Sequence, residues 1–397
     1  MRHLIVTGGG GYIGGRVVRR ALAQGWAVTA LSRSRRGVPV GARHVVWGLG
    51  EGLPADVGDA QGAAVIHLAH DWGVRAEANA AGTQALLAGC RAAGVGRFVF
   101  VSSQSARADA ANIYGRVKWG IEQILDRDGE VSARVGLVYG GPVQAMFGLL
   151  CKLTGMTPVL PMIDPWRKVQ PIHIDEVAEG LLRLAERGGR GWVGLAAAEG
   201  VAFGTFLKVL AREFHGRGLM VLPVPVRFAL LACDVSARIP FFPTVDRERV
   251  LGLAGTRAMA CGAHLAALGL EVAPIEVGLR REVGSRRAIL AEGRGLLRYV
   301  LGAAPGVDLL RRYVRAVGGG GAVARPWGAL RVMEAFAGPV LAGRLDLALA
   351  LAEASPEGER ALMAGSRFGR LARLSLGLVV DGVMLPVRVA AAWWRRG

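Results

Sequence analysis

The sequence predicts an α/β fold: a doubly wound parallel sheet, a smaller second lobe and an appended C-terminal helical region. Three observations support this prediction. Short apolar runs alternate with segments of helical spacing over residues 3–140. A glycine run directly follows the first apolar run. The 397-residue chain is 52% hydrophobic and 20% charged, so it can fill a large core and is not a disordered chain.

The predicted strands of the sheet are short and rich in β-branched and aromatic residues. They are His3–Val6, Ala27–Leu31, His44–Trp47, Ala64–Leu68, Phe98–Val101 and Ser132–Val138. The segments between them, such as Ile13–Gln24 and Glu77–Ala93, have the apolar spacing of amphipathic helices. Strands that alternate with helices pair in parallel through right-handed crossovers. Residues 1–140 are therefore predicted to form one domain around this sheet.

The chain is predicted to return to the sheet at residues 169–198. Gln170–Ile174 and Trp192–Leu195 have the composition of strands, and Asp175–Arg187 between them has helical spacing. Asp175 stands where the N-cap of that helix belongs.

The remaining segments are predicted to lie outside the sheet. Residues 141–168 are irregular and rich in Pro and Gly, and with residues 199–290 they are predicted to form the smaller substrate lobe. Residues 201–290 are expected to mix helices with loops that contain proline. Residues 291–397 are predicted to form a C-terminal helical region with several amphipathic stretches. These stretches include Leu309–Val317, Leu330–Ala337 and Leu345–Ala352.

The charge distribution limits the expected partners. The net charge is +18, and residues 280–397 hold 19 Arg against 9 acidic residues, a net +10. Scattered arginines are typical of a solvated surface, and no nucleic-acid-binding motif is present, so nucleic acid is not an expected partner. Contact of the basic C-terminal region with a membrane surface or a protein, and a homodimer, are kept as alternatives.

The cysteines and the N-terminus bear on location. Cys90, Cys151, Cys233 and Cys261 are far apart and show neither a disulfide framework nor metal-ligand spacing. The sequence therefore predicts no metal site and a reducing, cytoplasmic location. The pattern of a signal peptide and runs of about 18 apolar residues are lacking, so no membrane span is predicted. Peripheral attachment to the inner face of a membrane is the alternative location.

A glycine-rich turn joins the first predicted strand to the first helix. Its sequence is Thr7-Gly8-Gly9-Gly10-Gly11-Tyr12-Ile13-Gly14. Such glycines permit a tight turn, let backbone N–H groups approach a pyrophosphate and let helix and strand pack closely. The N-terminus of the helix adds a dipole that favours phosphate. The sequence therefore predicts a Rossmann domain that binds a dinucleotide through Thr7, Gly8, Gly11, Tyr12, Ile13 and Gly14.

The end of the second strand predicts which dinucleotide is bound. An NAD site has an acidic residue here, whereas this chain has Leu31-Ser32-Arg33-Ser34-Arg35-Arg36. A guanidinium can hold a 2′-phosphate by two hydrogen bonds, and a carboxylate would repel it. The sequence therefore favours NADP(H) over NAD(H), with Arg33 as the clamp, Ser32 beside it, and Arg36 or Arg35 in support. An exposed loop without this function is the alternative.

Hydroxyl, phenol and amine groups follow the fifth predicted strand. Ser102 and Ser103 end that strand at its carboxyl edge, where ligands bind in an open α/β sheet. Tyr114 and Lys118 are four residues apart, hence on one face of a helix. An ammonium group there would lower the pKa of the phenol, which could then exchange a proton with a carbonyl or alcohol oxygen. A serine hydroxyl would hydrogen-bond the same oxygen.

Over residues 1–290 the chain resembles the extended short-chain dehydrogenase/reductase superfamily, which includes NAD-dependent epimerases and dehydratases. Besides the motifs above, the resemblance rests on Ala64–Ala69, Asn79 with Ala81-Gly82-Thr83, Val135–Gly140 and Gln170–Ala178. It implies the following roles: Ser103 as the hydroxyl with Ser102 as its substitute, Tyr114 as the acid/base, Lys118 as its partner on the nicotinamide ribose, Asn79 as a helper, and Leu68 and Ala69 along the nicotinamide.

The resemblance leaves three functions open. The first is NADPH-dependent reduction of a small carbonyl substrate, or the reverse oxidation of an alcohol. The second is an NADPH-binding accessory protein that docks to a membrane complex, similar to an accessory subunit of respiratory complex I. The third is a nucleotide-sugar epimerase or dehydratase, which the short spacing between Ser103 and Tyr114 disfavours. His67, His70 and His173 are interpreted as structural residues.

Overall fold

The computed structural model describes residues 2–73, 75–215, 217–225, 255, 257–318, 344–345 and 347–363, of which residues 281–288, 318 and 360–363 are described by their backbone alone. The predicted helix Leu330–Ala337 lies outside the described residues. The chain divides into two compact units between Val283 and Gly284.

A seven-stranded sheet organises the first unit, and its strands all pair in parallel. The strands are β1 (His3–Thr7), β2 (Ala27–Ser32), β3 (Arg43–Val46), β4 (Ala64–His67), β5 (Arg97–Ser103), β6 (Glu130–Val135) and β11 (Gly191–Leu195). Their order is β11-β6-β5-β4-β1-β2-β3. The order reverses between β1 and β4, which opens a crevice at the carboxyl ends of these two strands. The predicted doubly wound parallel sheet is confirmed.

Helices cover both faces of this sheet. They are α1 (Tyr12–Ala23), α2 (Ala76–Ala92), α3 (Ile113–Glu122) and α5 (Ile174–Arg187). Helices α1 and α5 pack on one face, and α2 and α3 pack on the other. Neighbouring residues of a strand point to opposite faces, so Leu4 lies in the first core and Ile5 in the second, both fully buried. Burial of each such side chain stabilises the fold by about 1.5–3 kcal/mol.

The predicted strand Ser132–Val138 is two strands in the structure. Strand β6 ends at Val135, and β7 (Leu137–Tyr139) pairs with β10 (Pro171–His173) in a separate two-stranded sheet. Gly136 is the point of change, because a Cβ there would lie 2.2 Å from the carbonyl oxygen of Gln170. This close approach lets the chain leave the main sheet.

The helix that was predicted to have Asp175 as its N-cap is capped by His173 instead. The ring of His173 accepts the N–H of Asp175, and the carboxylate of Glu176 accepts the N–H of His173, which closes a capping box. The carboxylate of Asp175 pairs with Arg16 of α1. The prediction was wrong because usual N-cap preferences do not include a histidine ring.

The second lobe contains strands, and a helix before residue 168, that the sequence did not predict, beside helical structure that was expected within residues 201–290. Its elements are α4 (Ala145–Met156), β8 (Val159–Ile163), β9 (Lys168–Val169), β12 (Val201–Ala202), α6 (Phe203–His215) and β13 (Met220–Val224). Strand β8 pairs with β13, and β9 pairs with β12. Helices α4 and α6 share a core that includes the fully buried Phe147 and Phe206. Glycines and prolines at the ends of α4 and β8 led to the irregular interpretation of residues 141–168.

The described part of the second unit is helical. Helices there are Val307–Gly318, Pro356–Met363, the end of Ile275–Leu301 and residues 347–353. The stretches predicted at Leu309–Val317 and Leu345–Ala352 are helical wherever they are described. Tyr313 is fully buried in the core of this unit, and its hydroxyl donates to Glu292. Among the helices described in either unit, none is both long and apolar enough to span a bilayer.

Candidate active site

The glycine turn lies at the carboxyl end of β1 and opens α1. Gly8 has a φ of +68°, and its N–H donates to the carbonyl of Leu31 at 2.8 Å. A Cβ on Gly14 would lie 2.1 Å from the carbonyl oxygen of Gly8, so no side chain fits at position 14. Gly11 is the N-cap of α1, no side chain caps this helix, and its first turn has no acidic residue. The turn therefore fits a pyrophosphate held by backbone N–H groups and the helix dipole.

Tyr12 and Ile13 form the first turn of α1. The hydroxyl of Tyr12 donates to the carbonyl of Gly140 at 2.6 Å, and Ile13 packs at the edge of the first core. Tyr12 thereby joins the predicted cofactor turn to the segment that follows β7.

Thr7 links the turn to β4 through a chain of hydrogen bonds. Its Oγ1 accepts the N–H groups of Leu68 and Ala69 at 3.0 and 3.1 Å. Its own proton is therefore donated to Nδ1 of His67 at 2.7 Å, and Nε2 of His67 donates to Thr83 at 3.0 Å. Burial lowers the pKa of His67 to about 3, so the ring is neutral. These contacts fix the backbone of the residues predicted to line the nicotinamide.

Asn79 holds the segment that follows β4. Its amide nitrogen donates to the carbonyl of Asp71, and its Oδ1 accepts the N–H of Asp71, both at 2.8 Å. Asn79 is buried, so water does not compete for these hydrogen bonds. The contacts of this predicted site residue thus position a backbone segment.

The arginine-rich segment follows β2 and lies beside the glycine turn. Arg33 is 80% exposed, and its guanidinium Nη1 is 3.2 Å from a carboxylate oxygen of Asp71. Ser32 donates to a backbone carbonyl of the same segment at 2.8 Å. Arg35 and Arg36 are exposed, and the backbone of Arg36 packs closely against the glycine turn. This concentration of guanidinium groups at the end of β2 fits a 2′-phosphate.

Tyr114 and Lys118 lie on one face of α3, as their spacing predicts. The Nζ of Lys118 is 5.7 Å from the centre of the Tyr114 ring and 4.4 Å from the centre of the Phe100 ring. The same Nζ donates to the carbonyl of Val101, near the carboxyl end of β5, at 2.8 Å. Asn112 caps α3 by accepting the N–H of its third residue at 3.2 Å. The phenol and the amine are therefore held together at the carboxyl end of β5.

The expected effect of the ammonium group on the phenol is not found in the protein without cofactor. Burial raises the pKa of Tyr114 to about 12 and lowers the pKa of Lys118 to about 7. Near neutral pH, Lys118 therefore carries only part of its charge and does not offset the burial of the phenol. The prediction that Lys118 lowers the pKa of Tyr114 is wrong for this state.

The two serines at the end of β5 differ in environment. Ser103 is partly exposed, and its Oγ lies 3.0 Å from that of Ser105. Ser102 is buried, and its Oγ has no hydrogen-bond partner in the described part of the chain. Ser103 is therefore the more accessible hydroxyl at this edge of the sheet.

The model of the NAD dependent epimerase/dehydratase family matches residues 4–120. This segment contains the glycine turn, the arginine-rich segment and the pair of Tyr114 and Lys118. The chain thus contains a domain that matches the NAD dependent epimerase/dehydratase family. The predicted resemblance is thereby confirmed, and members of this family are oxidoreductase-type enzymes that depend on a nicotinamide dinucleotide.

Known proteins that are similar to this chain differ in reaction and in cofactor. The ceramide reductase of Caulobacter vibrioides is 29% identical over 242 residues, which cover 55% of this chain and 73% of that protein. The UDP-glucose 4-epimerase of Thermus thermophilus, solved with NAD, aligns with a TM-score of 0.54 and 20% identity over 71% of this chain and 98% of its own.

A human protein of the same fold was solved with the other dinucleotide. The human epimerase family protein SDR39U1, solved with NADPH, aligns with a TM-score of 0.55 and 18% identity over 71% of this chain and 99% of its own. At such identities the two solved structures show a shared fold, and within that fold they contain different nicotinamide dinucleotides.

Two residues beside Tyr114 were not predicted as part of the site. Trp72 stacks on the Tyr114 ring with centres 5.2 Å apart, and His70 meets it edge-on at 5.1 Å. Burial and the charge of Lys118 lower the pKa of His70 to about 4, so this aromatic cluster is uncharged at neutral pH. In the sequence, the only indication of a role for Trp72 and His70 is their position after β4. This position does not show that they contact Tyr114 of α3.

Proposed function

We propose that this chain is an NADPH-dependent reductase of a carbonyl group, which can run in reverse as an alcohol dehydrogenase, with Tyr114 as the acid/base. The observation that carries the proposal is the meeting of Tyr114 and Lys118 at the carboxyl end of β5. The glycine turn lies at the same edge of the sheet, after β1, and β4 separates the two strands. When bound there, the nicotinamide supplies hydride-transfer chemistry.

Tyr114 is suited to donate a proton. Because burial raises its pKa to about 12, the phenol keeps its proton at neutral pH. The oxygen of a carbonyl that is being reduced becomes strongly basic and accepts this proton readily. Oxidation of an alcohol would need the phenolate, which the buried site disfavours. Reduction is therefore the proposed direction.

Ser103 and Lys118 support this proton transfer. The accessible hydroxyl of Ser103 would hydrogen-bond the same substrate oxygen as negative charge develops on it. Lys118, in its charged form, would hold the nicotinamide ribose and stabilise the phenolate left after the proton has moved. Asn79 and Thr7 would act through the backbone segments that they hold in place.

We propose NADP(H) rather than NAD(H) as the cofactor. The support is the arginine-rich segment at the end of β2, where Arg33, Arg35 and Arg36 are exposed. No acidic residue follows β2 to accept the ribose hydroxyls of NAD(H). A phosphate at this position would gain charge-assisted hydrogen bonds.

We propose an apolar carbonyl compound as the substrate. The ring of Trp72 beside Tyr114 is a large exposed hydrophobic surface, 77% accessible to solvent. The neighbouring His70 is neutral and adds no charge. The similarity to a ceramide reductase, whose name states a lipid substrate, supports the same class of substrate here.

The test is the substitution Tyr114→Phe. Removal of the hydroxyl should lower the rate of NADPH oxidation with a ketone of ceramide, or with simpler long-chain ketones, by at least about 100-fold. NADPH binding should be unchanged. Tyr299→Phe, at an exposed tyrosine of the second unit, is the matched control and should have no effect.

Two outcomes would contradict the proposal. Full activity of Tyr114→Phe would show that the phenol is not the proton donor. Tight NADPH binding by the wild type, with no oxidation by any of these ketones, would favour the alternative of an accessory protein that keeps NADPH as a structural ligand.

We also propose a cytoplasmic location. Cys90 and Cys261 are buried free thiols, and burial raises the pKa of Cys90 to about 12, which keeps it unreactive. Free thiols of this kind are typical of a reducing compartment. The basic C-terminal region is the proposed surface for contact with a membrane or a protein partner.

A further inference from the structure

The ion pair between Arg33 and Asp71 crosses the proposed cofactor site. Arg33 follows the end of β2, and Asp71 follows the end of β4. In the order β4-β1-β2, strand β1 and its glycine turn lie between these two ends. The ion pair, with 3.2 Å between Nη1 of Arg33 and Oδ2 of Asp71, thus connects the two sides of the crevice. A dinucleotide seated on the glycine turn would meet this ion pair.

Asp71 is fixed, whereas Arg33 is free to move. Asn79 binds both the N–H and the carbonyl of Asp71 at 2.8 Å. The Oδ1 of Asp71 accepts the N–H of Gly73 at 2.8 Å, which leaves Oδ2 for Arg33. The side chain of Arg33 is 80% exposed and that of Asp71 is 30% exposed. The guanidinium can therefore turn from the carboxylate to another anion without disturbing the fold.

We infer that Asp71 is a specificity-determining residue, which competes with the 2′-phosphate of NADP(H) for Arg33 and thereby weakens the preference for NADP(H) over NAD(H). A carboxylate and a phosphate accept the same pair of guanidinium hydrogen bonds. The phosphate therefore has to displace the carboxylate of Asp71 from Arg33. NAD(H) has no 2′-phosphate and does not need Arg33. The inference rests on the proposed cofactor site.

The expected change in NADPH affinity is small because the ion pair between Arg33 and Asp71 is exposed to solvent. An ion pair between exposed side chains is weak, so its removal should tighten NADPH binding by about two- to fivefold. The affinity for NADH should stay constant or fall, since a carboxylate can also accept a ribose hydroxyl.

The experiment is direct titration of NADPH and of NADH, without substrate, into the wild type and Asp71→Asn. Asparagine keeps the oxygen that accepts the N–H of Gly73 and removes only the charge. The matched control is Asp59→Asn. Asp59 is exposed, its Oδ1 likewise accepts the N–H two residues later, that of Gln61, at 3.0 Å, and it precedes β4 at the opposite edge of the sheet. The control removes the same charge and should leave both affinities unchanged.

The same titrations with Arg33→Ala and with the double variant isolate the pairing. Arg33→Ala should weaken NADPH binding, and Asp71→Asn should have no further effect in its presence. The inference would be overturned if Asp71→Asn increased the affinity for NADPH equally with and without Arg33. It would also be overturned if this substitution increased the affinities for NADPH and NADH equally. If Arg33→Ala weakens NADPH binding and Asp71→Asn changes nothing, the inference alone fails. If Arg33→Ala leaves NADPH binding intact, the proposed cofactor preference fails.

Discussion

At the scale of single residues, the buried amide of Gln170 shows how several partners satisfy one polar side chain. Gln170 is 1% exposed and makes four hydrogen bonds of 2.7–2.9 Å. They connect Gln104, at the end of β5, with Ala197 and with both backbone groups of Met259. A buried amide left without partners would cost about 1–3 kcal/mol, so these contacts hold three distant segments in register.

The lowered pKa of Lys118 predicts that cofactor binding takes up a proton. In the protein without cofactor, burial lowers this pKa to about 7, so Lys118 is mostly neutral at pH 8. Phosphates and ribose oxygens nearby would favour the ammonium form and raise the pKa. NADPH affinity should therefore fall as the pH rises above about 7, while Lys118 contributes no pH dependence well below it.

Isothermal titration of NADPH at pH 8, in two buffers with different heats of ionisation, measures this uptake. We expect a value that approaches one proton per site. The variant Lys118→Met should bind NADPH without taking up this proton. An uptake that is near zero in the wild type would contradict the predicted change in the protonation of Lys118.

At the scale of elements, the site depends on how a strand passes into a helix. Strand β1 ends at Thr7, and α1 begins at Tyr12, so a short turn has to reverse direction and leave room for a ligand. The positive φ of Gly8 and the close contact of Gly14 with its carbonyl make this turn. A side chain at either position would change the local path of the backbone.

The substitution Gly14→Ala should damage both the turn and cofactor binding. The new Cβ would lie 2.1 Å from a backbone oxygen, which cannot move as a flexible side chain would. We expect a loss of about 1–3 kcal/mol in the free energy of unfolding and at least about tenfold weaker NADPH binding.

Gly120→Ala is the matched control in another helix of the same domain. A Cβ at Gly120, in α3, would have no neighbour within 4 Å. Alanine there should stabilise the protein by about 0.5–1 kcal/mol and leave NADPH binding intact. Denaturant unfolding measures both stabilities. A Gly14→Ala protein as stable as the wild type would show that the turn can relax.

At the scale of the whole molecule, the charge is distributed unevenly. Residues 280–397 contribute a net +10 of the total +18. In the first unit, in contrast, many arginines are paired with nearby carboxylates. Arg134 pairs with Glu122 at 2.5 Å, and Arg91 pairs with Glu130 at 2.6 Å. Excess positive charge therefore belongs mainly to the C-terminal region.

This excess predicts salt-sensitive binding to anionic membranes. Each basic residue near such a surface contributes on the order of 1 kcal/mol. The full-length protein should co-sediment with vesicles that contain phosphatidylserine, and release should follow an increase in salt because the charges are screened. Pure phosphatidylcholine vesicles are the control. Equal binding to both kinds of vesicle, or no dependence on salt, would contradict an electrostatic contact.

Much of the site could be predicted because its signals are local. Glycines in a turn, arginines after a strand, and Tyr114 four residues before Lys118 each act through neighbours in the chain. Partners that come from distant segments, such as Asp71 for Arg33 and Trp72 for Tyr114, could not be predicted in this way. The cap by His173 and the helix α4 were missed for a different reason, since their sequences depart from the usual preferences.

The amino-acid order alone determined the alternation of strands and helices, and with it the parallel sheet and the edge where we propose that the cofactor binds. These follow from hydrophobic periodicity and backbone sterics, which act over a few residues. Only the tertiary structure decided the ionisation of the site. Burial sets the pKa of Tyr114 and Lys118, and burial depends on what the rest of the chain places around them.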